Sequence, residues 1–321
     1  MTIQEFKKLS IAELKSSSPS PALDTDVLLE HALNFSKTEL LLKNNNQIEE
    51  EKLKWLCDAL EKRKTGLPVA YITGYKEFYG YNFHVNPDVL IPKPDTEILV
   101  ERAIEIIIEK MEAHPGKILS VCDMCTGSGC IGISVMKTLL QKYKISPSAL
   151  PKFTLADISA PALETARKNA DSLILSLAED SGSKVLLESK LCFIQSNLFE
   201  MLPYQYDIIL SNPPYIPHSM VEDLLKDGRN EPRLALDGDI SLCGERAKDK
   251  NGQQKDDGLS VIKNLILQSK DSLCTMGTAL VETGEYNAKQ TAKFAEKSGF
   301  SAQIHKDLEG QLRVVELNKK S

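Results

Sequence analysis

Residues 117–135 read KILSVCDMCTGSGCIGISV. KILSVCD, at 117–123, has the length and apolar content of a buried strand, and a helix is predicted after Gly129. Between them lies a glycine loop with a literal G-x-G-x-x-G at Gly127, Gly129 and Gly132. A strand, a glycine loop and a helix in that order form a cradle for nucleotide-like cofactors, because backbone N–H groups at a helix start point at the ligand. The pattern alone does not choose the cofactor. In the dinucleotide motif the first glycine directly follows the strand, whereas here Asp123 and three further residues precede Gly127. A carboxylate beside the loop repels a pyrophosphate. S-adenosylmethionine has an ammonium, a sulfonium and no phosphate, and it suits Asp123.

A second strand, FTLAD at 153–157, ends on Asp157, where a carboxylate could accept from both ribose hydroxyls. This position serves either cofactor, and capping of the next helix is its ordinary structural use. Further strands are predicted at LCFIQS (191–196), YDIILS (206–211), GTALVET (277–283) and LRVVEL (312–317), with helices at SAPALETARKNA and DGLSVIKNLILQSKDSL between them. Such alternation predicts an α/β fold with a mostly parallel, helix-covered sheet, whose ligands collect at the carboxyl ends of the strands. Asp123, Asp157, Asn197 and Asn212 all fall there. Asp123, the glycines and Asp157 together favour a methyltransferase over a dehydrogenase.

The strand YDIILS stops at Asn212-Pro213-Pro214-Tyr215. Neither proline can donate to a sheet ladder. The Asn212 side-chain carbonyl and the Pro213 backbone carbonyl are two acceptors on a rigid frame, able to take both N–H bonds of a planar NH2 group. Tyr215 supplies a flat face beside it. None of the four is a general base near neutral pH, so catalysis would rest on positioning and electrostatics.

Outward from this centre the chain changes character. Residues 1–64 read as helices only, with Ser20 as an N-cap before Pro21 and a capping box at Ser36 and Glu39. The aromatic, glycine-punctuated segment 69–97, with Tyr79, Tyr81 and Phe83 alternating, predicts a hairpin. The expected organisation is a helical domain at 1–66, a hairpin linker at 67–94 and a catalytic domain at 95–321. Residues 171–186 are expected to form an irregular loop, and 237–257 an exposed, mobile insertion.

The composition, 42% hydrophobic and 26% charged, is that of a globular protein. A net charge of −6 argues against duplex DNA as substrate. No apolar run reaches bilayer length and the N-terminus lacks a signal-peptide core, so a cytoplasmic location is expected. Cys122-x-x-Cys125-x4-Cys130 invites a metal, but a fourth ligand at usual spacing is missing, and buried thiols are the expectation.

Asn-Pro-Pro-Tyr after the fourth strand resembles the signature of S-adenosylmethionine-dependent methyltransferases acting on planar nitrogens, adenine-N6 DNA methyltransferases among them. GLPVAYITGYKEFYGYNFHVNPDVLIPKPDTEILVE, GRNEPRLALDGD and DLEGQLRVVEL are similar to segments of the HemK/PrmC release-factor glutamine methyltransferases. The resemblance runs from about residue 20 to the end. It implies a class I methyltransferase (Rossmann-like) domain behind a small helical bundle and a hairpin. The implied cofactor is S-adenosylmethionine. The implied partner and substrate is a peptide chain release factor, methylated by a monomeric enzyme on the glutamine of its Gly-Gly-Gln motif. Carried over by position, Asp123, Cys125, Thr126, Gly127, Ser128 and Gly129 form the cofactor loop, Asp157 binds the ribose and Leu198 meets the adenine. Asn212 to Tyr215 hold the glutamine amide, with Asn212 also close to the cofactor.

Three departures accompany the match. Cys125 replaces the first glycine of D-x-G-T-G-[ST]-G, a strain of about 1–2 kcal/mol if φ is positive there. Leu198 stands where the family often has an aromatic, and the 237–257 insertion follows the active-site segment. A DNA adenine methyltransferase would need a basic target-recognition region, and the only spare segments are the N-terminal helices and an acidic-leaning insertion. A non-catalytic binding module would not need Asn-Pro-Pro-Tyr beside an intact loop.

Overall fold

The computed structural model describes residues 1–202, 205–226, 230–240, 245–249 and 251–319. Its contacts divide into two units, Met1–Tyr75 with Glu222–Asn230, and Lys76–Val221 with Glu231–Ser321. The main division between them falls after Tyr75.

The first unit holds α1 (Ile3–Leu14), α2 (Pro21–Leu33), α3 (Lys37–Leu42), α4 (Glu50–Lys64) and α5 (Val69–Thr73). Capping boxes start α1 at Thr2 and Glu5 and α3 at Ser36 and Glu39. Pro21 opens α2 as expected, but Ser20 makes no side-chain cap. Its hydroxyl goes instead to Asp24 at 3.4 Å, a carboxylate also held by Ser18 and Arg63 at 2.6 and 2.7 Å. Phe6, Leu28, Leu29 and Leu56 are the buried centre of this bundle.

In the second unit β1 (Tyr75–Phe78) and β2 (Tyr81–His84) form the expected hairpin. Its two turn residues, Tyr79 and Gly80, have φ of 53° and 73°, the handedness that matches strand twist. Tyr79 is held there by its N–H, which donates to Glu97 at 3.0 Å. There follow α6 (Glu97–Ala113), β3 (Ser120–Met124), α7 (Cys130–Gln141), β4 (Lys152–Asp157), α8 (Ala160–Leu173), α9 (Ser181–Glu188), β5 (Leu191–Gln195) and β6 (Tyr206–Ser211). The chain closes through α10 (His218–Lys226), α11 (Arg233–Leu236), α12 (Ser260–Ser272), β7 (Leu273–Glu282), α13 (Ala288–Lys297), β8 (Phe300–Lys306) and β9 (Leu312–Lys319).

Seven strands make one sheet in the order β5-β4-β3-β6-β7-β9-β8. The pairs from β5 to β7 are parallel, and β9 runs antiparallel to both β7 and β8. Side chains along one strand alternate between faces. Val121, Ile208 and Leu210 accordingly enter one core, and Cys122 and Ile209 the other. Both faces are covered by helices, which is why YDIILS reads as an unbroken buried run.

Two expectations are corrected. Within 171–186 the chain forms a 3-10 turn at Leu175–Leu177 and then α9, whose start is fixed by a capping box between Asp180 and Ser183. The 237–257 segment is not exposed throughout: Asp237, Gly238 and Asp239 are buried, and Lys248 bridges Gln254. Residues 241–244 and 250 of that segment lie outside the described residues.

Candidate active site

From β3 the chain winds outward to β4 and β5, then returns to the other side of β3 as β6. The crevice above the carboxyl ends of β3 and β6 is therefore the switch point where open α/β sheets bind ligands. A cavity lies there, lined among others by Cys125, Thr126, Gly127, Ser128, Asp157, Leu198, Asn212 and Pro214.

The loop after β3 needs left-handed backbone at Cys125, Gly127 and Gly129, with φ of 60°, 54° and 80°. Cys125 thus carries the strain that its replacement of glycine implied. Asp123 anchors the loop from below. Its Oδ2 accepts from the Thr126 hydroxyl at 2.6 Å and from the Gly132 N–H at 3.0 Å. A Cβ on Gly132 would stand 3.0 Å from that same oxygen, so any side chain there would press on Asp123. Asp123 is wholly buried and does not line the cavity, and its Oδ1 has no hydrogen-bond partner. Burial, opposed by the Thr126 and Gly132 hydrogen bonds, pushes its carboxyl up to about 6. Gly129 also stays off the cavity wall. A Cβ there would meet Ile133 Cδ1 at 2.6 Å.

Asp157 accepts from the Gly127 N–H through Oδ2 and from the Ser159 N–H through Oδ1, both at 2.9 Å. It clamps the loop to the end of β4 while facing the cavity. The capping of α8 falls instead to Ser159, whose hydroxyl accepts from Ala162 N–H. Burial raises the Asp157 carboxyl, against the backbone donors at Ser159 and Gly127. Leu198 is 4% exposed with φ of 46°, and together with Ile158 gives the cavity apolar walls without an aromatic face.

The Asn-Pro-Pro-Tyr residues divide. Asn212 and Pro214 reach the cavity, Pro213 is buried, and Tyr215 turns its hydroxyl to Glu282 Oε1 at 3.3 Å. The Asn212 amide is oriented: Nδ2 donates to Thr96 Oγ1 at 3.2 Å, which leaves Oδ1 as the acceptor for a ligand. Burial, with Glu282 adding to it, raises the Tyr215 phenol further from neutrality, so this ring is no base, and it is not among the residues that line the cavity.

Residues absent from the sequence-based site complete it. Glu231 accepts from Ile91 N–H at 3.2 Å and from Lys93 Nζ at 2.8 Å. It thereby ties the Asn-Glu-Pro segment to the LIPKPDTE segment, and residues of both line the cavity. Asp237, another lining residue, takes His218 Nδ1 at 2.6 Å. Gly238 and Gly258 pack on the backbone of the motif: a Cβ on Gly258 would stand 2.2 Å from Tyr215 O, and one on Gly238 2.3 Å from Gly258 O.

Cys122, Cys125 and Cys130 are free thiols, and burial pushes all three up, Cys130 to about 12. Among the described residues no three His, Cys, Asp or Glu side chains are grouped to hold a metal.

These residues fit S-adenosylmethionine. An unpaired carboxylate oxygen beneath the loop favours a cation above it, Asp157 stands at the end of β4, and Ile158 and Leu198 offer apolar contact. Among the described residues Lys93 is the one basic side chain lining the cavity, and it is paired with Glu231. Because Asp123 titrates near 6, its charge is present above that pH and lost below it. Affinity for S-adenosylmethionine is therefore expected to fall about tenfold from pH 8 to pH 5. Isothermal titration of Asp123→Asn, whose side chain cannot ionise, should show that dependence removed.

Residues 8–74 match the PrmC N-terminal domain family and residues 98–248 the methyltransferase small domain family. The chain is 33% identical over 310 residues to the release factor glutamine methyltransferase of Rhodopirellula baltica, covering 95% of this chain and 92% of that one. It is 35% identical over 300 residues to the enzyme of the same name from Neisseria gonorrhoeae, covering 93% of each. To the bifunctional methyltransferase of Rickettsia typhi it is 30% identical, covering 93% of this chain and spanning 53% of that longer protein. A switch-point cavity, a glycine loop clamped by two aspartates and an oriented asparagine thus coincide with full-length similarity, and the chain belongs to the release factor glutamine methyltransferase family, a family of S-adenosylmethionine-dependent class I methyltransferases.

Proposed function

We propose that the protein transfers the methyl group of S-adenosylmethionine to the side-chain amide nitrogen of the Gly-Gly-Gln glutamine in a peptide chain release factor. The observation that carries this reading is the oriented Asn212 amide: with Nδ2 committed to Thr96, Oδ1 is the acceptor presented to the cavity. An acceptor on a fixed frame aligns a planar NH2, and the Pro213 carbonyl is the proposed second acceptor. Pro214 and Tyr215 keep that frame rigid. Cys125 to Gly129 would hold the cofactor, Asp157 its ribose and Leu198 its adenine, and it would supply an electrophilic methyl group. The amide nitrogen would form the new C–N bond at that methyl as the S–CH3 bond breaks, with the nitrogen's proton passing to solvent. Alignment of reactants in this way can supply about 7–11 kcal/mol without any general base. The protein acts as a monomer in the cytoplasm, with the release factor as its partner and residues 1–66 lying outside the chemistry.

Labelled-methyl transfer tests the reading directly. Purified release factor should incorporate one methyl per chain, and its Gly-Gly-Gln→Gly-Gly-Ala variant none. Equal labelling of the two would overturn the assigned acceptor.

A further inference from the structure

The buried side chains of α8 are apolar except for two, Thr165 and Asn169. Four residues apart, they share one face of the helix, and they are 1% and 0% exposed. A buried amide is costly unless its hydrogen bonds are made. Asn169 makes three. Its Oδ1 accepts from His84 N–H at 2.7 Å, and its Nδ2 donates to His84 O at 2.9 Å and to Ser128 O at 2.8 Å. Turning the amide over would oppose oxygen to two carbonyls and nitrogen to an N–H, so its orientation is fixed.

These partners belong to two separate stretches of the cavity wall. Ser128 lies in the glycine loop and lines the cavity. The peptide group between Ser128 and Gly129 is held at both ends, its carbonyl by Asn169 and its N–H by Thr126 O at 2.8 Å. His84 ends β2, and the chain beyond it supplies Asp88, Val89 and Leu90 to the wall. Thr165 fastens that second stretch again. Its Oγ1 accepts from Asn86 Nδ2 at 3.1 Å while donating to Pro161 O at 3.2 Å. Asn86 Oδ1 in turn accepts from Asp88 N–H at 3.0 Å.

We infer that Asn169 and Thr165 are positioning residues for S-adenosylmethionine: from one face of α8 they hold the glycine loop and the 84–90 stretch at a fixed spacing, and so set the width of the cofactor cavity. Neither side chain lines the cavity, so both act through Ser128, His84 and Asn86. An apolar pair would fill the same volume without linking the two stretches. Aspartate at 169 would keep an acceptor for His84 N–H but could donate to neither carbonyl. The acceptor side of the site is held elsewhere, at Asn212 by Thr96. Changes on this face of α8 therefore move cofactor affinity and spare the chemical step.

Calorimetric titration with S-adenosylmethionine tests the inference. Asn169→Asp is expected to raise Kd at least about tenfold, and Thr165→Val, which keeps the shape and loses one bond, about fivefold. Asn86→Ala cuts the Thr165 bond from the half-buried side and should match Thr165→Val. At saturating cofactor, kcat should stay within about threefold of wild type in all three. Measurements are made where circular dichroism shows each variant folded, since a merely structural role would lower Tm and leave Kd in place. A Kd within about twofold of wild type in any folded variant would overturn the inference, as would a fall in kcat at unchanged affinity. If Asn169→Asp does not fold, Thr165→Val and Asn86→Ala decide. The Kd readout needs no acceptor, so an enzyme that failed to label the release factor would refute the substrate reading alone.

Discussion

Asn212→Ala is expected to lower kcat for methyl transfer by at least about a thousandfold, because it removes the proposed side-chain acceptor for the substrate nitrogen and leaves only the Pro213 carbonyl. The change takes away no contact in the glycine loop, which is held by Asp123 and Asp157. Affinity for S-adenosylmethionine should accordingly remain within about tenfold of wild type. Single-turnover methyl transfer and calorimetric cofactor binding, measured on the same preparation, separate the two quantities. Near-normal turnover would remove Asn212 from the chemistry, and a parallel collapse of cofactor affinity would move it to the cofactor side of the site. Asn212→Asp sharpens the comparison, since it keeps an acceptor but loses the donor to Thr96.

Gly258→Ala is the second large effect, and it acts through the backbone. The residue has φ of 67°, and a Cβ there would lie 2.2 Å from Tyr215 O and 3.0 Å from Pro217 N. Both neighbours are main chain and cannot swing aside as a side-chain tip would. Tyr215 O is moreover held by Tyr286 Oη and Asn287 Nδ2, each at 3.2 Å. Left-handed strain of about 1–2 kcal/mol adds to the overlap, and a total destabilisation of at least about 3 kcal/mol is expected. In a domain of this size that lowers Tm by about 6–12 °C. Gly252→Ala is the matched control, because φ is 79° but nothing stands within 4 Å of the added carbon. It should show the strain alone, about 1 kcal/mol. Scanning calorimetry of the two variants tests the difference. Similar shifts for both would mean that the close approach of Gly258 to Tyr215 is not structurally important.

The parts of the fold legible in the sequence are those where burial is complete. β6 coincides with YDIILS because both of its faces are covered and two prolines stop it. β8 was not expected: FSAQIHK is a half-exposed edge strand with polar residues on both faces, and its one-sided burial leaves no continuous apolar run. α9 buries only Leu187 and so shows no apolar periodicity, although Asp180 and Ser183 carried the capping signal. In the site, the loop, Asp157 and Asn212 followed from position at strand ends. Glu282 satisfies the same rule at the end of β7, yet a lone glutamate in an apolar strand has no visible partner until folding brings the Tyr215 hydroxyl to it. Gly238 and Gly258 were equally silent, since each looks like an ordinary loop glycine until the backbone it abuts is known.

The meeting of Gly238 and Gly258 has a consequence for how much the chain between them may vary. The stretch leaves and re-enters the body of the protein at one point, where a Cβ on Gly238 would touch Gly258 O and where Val261 N–H donates to Gly238 O at 3.1 Å. A closed excursion pinned at its neck can lengthen with only a slow entropic cost, about 0.6 kcal/mol per doubling. The exposed turn at Asn251 and Gly252 is thus a place where length and composition can drift, or where an affinity tag or fluorophore can be grafted, while the neck keeps Tyr215 in register with the sheet.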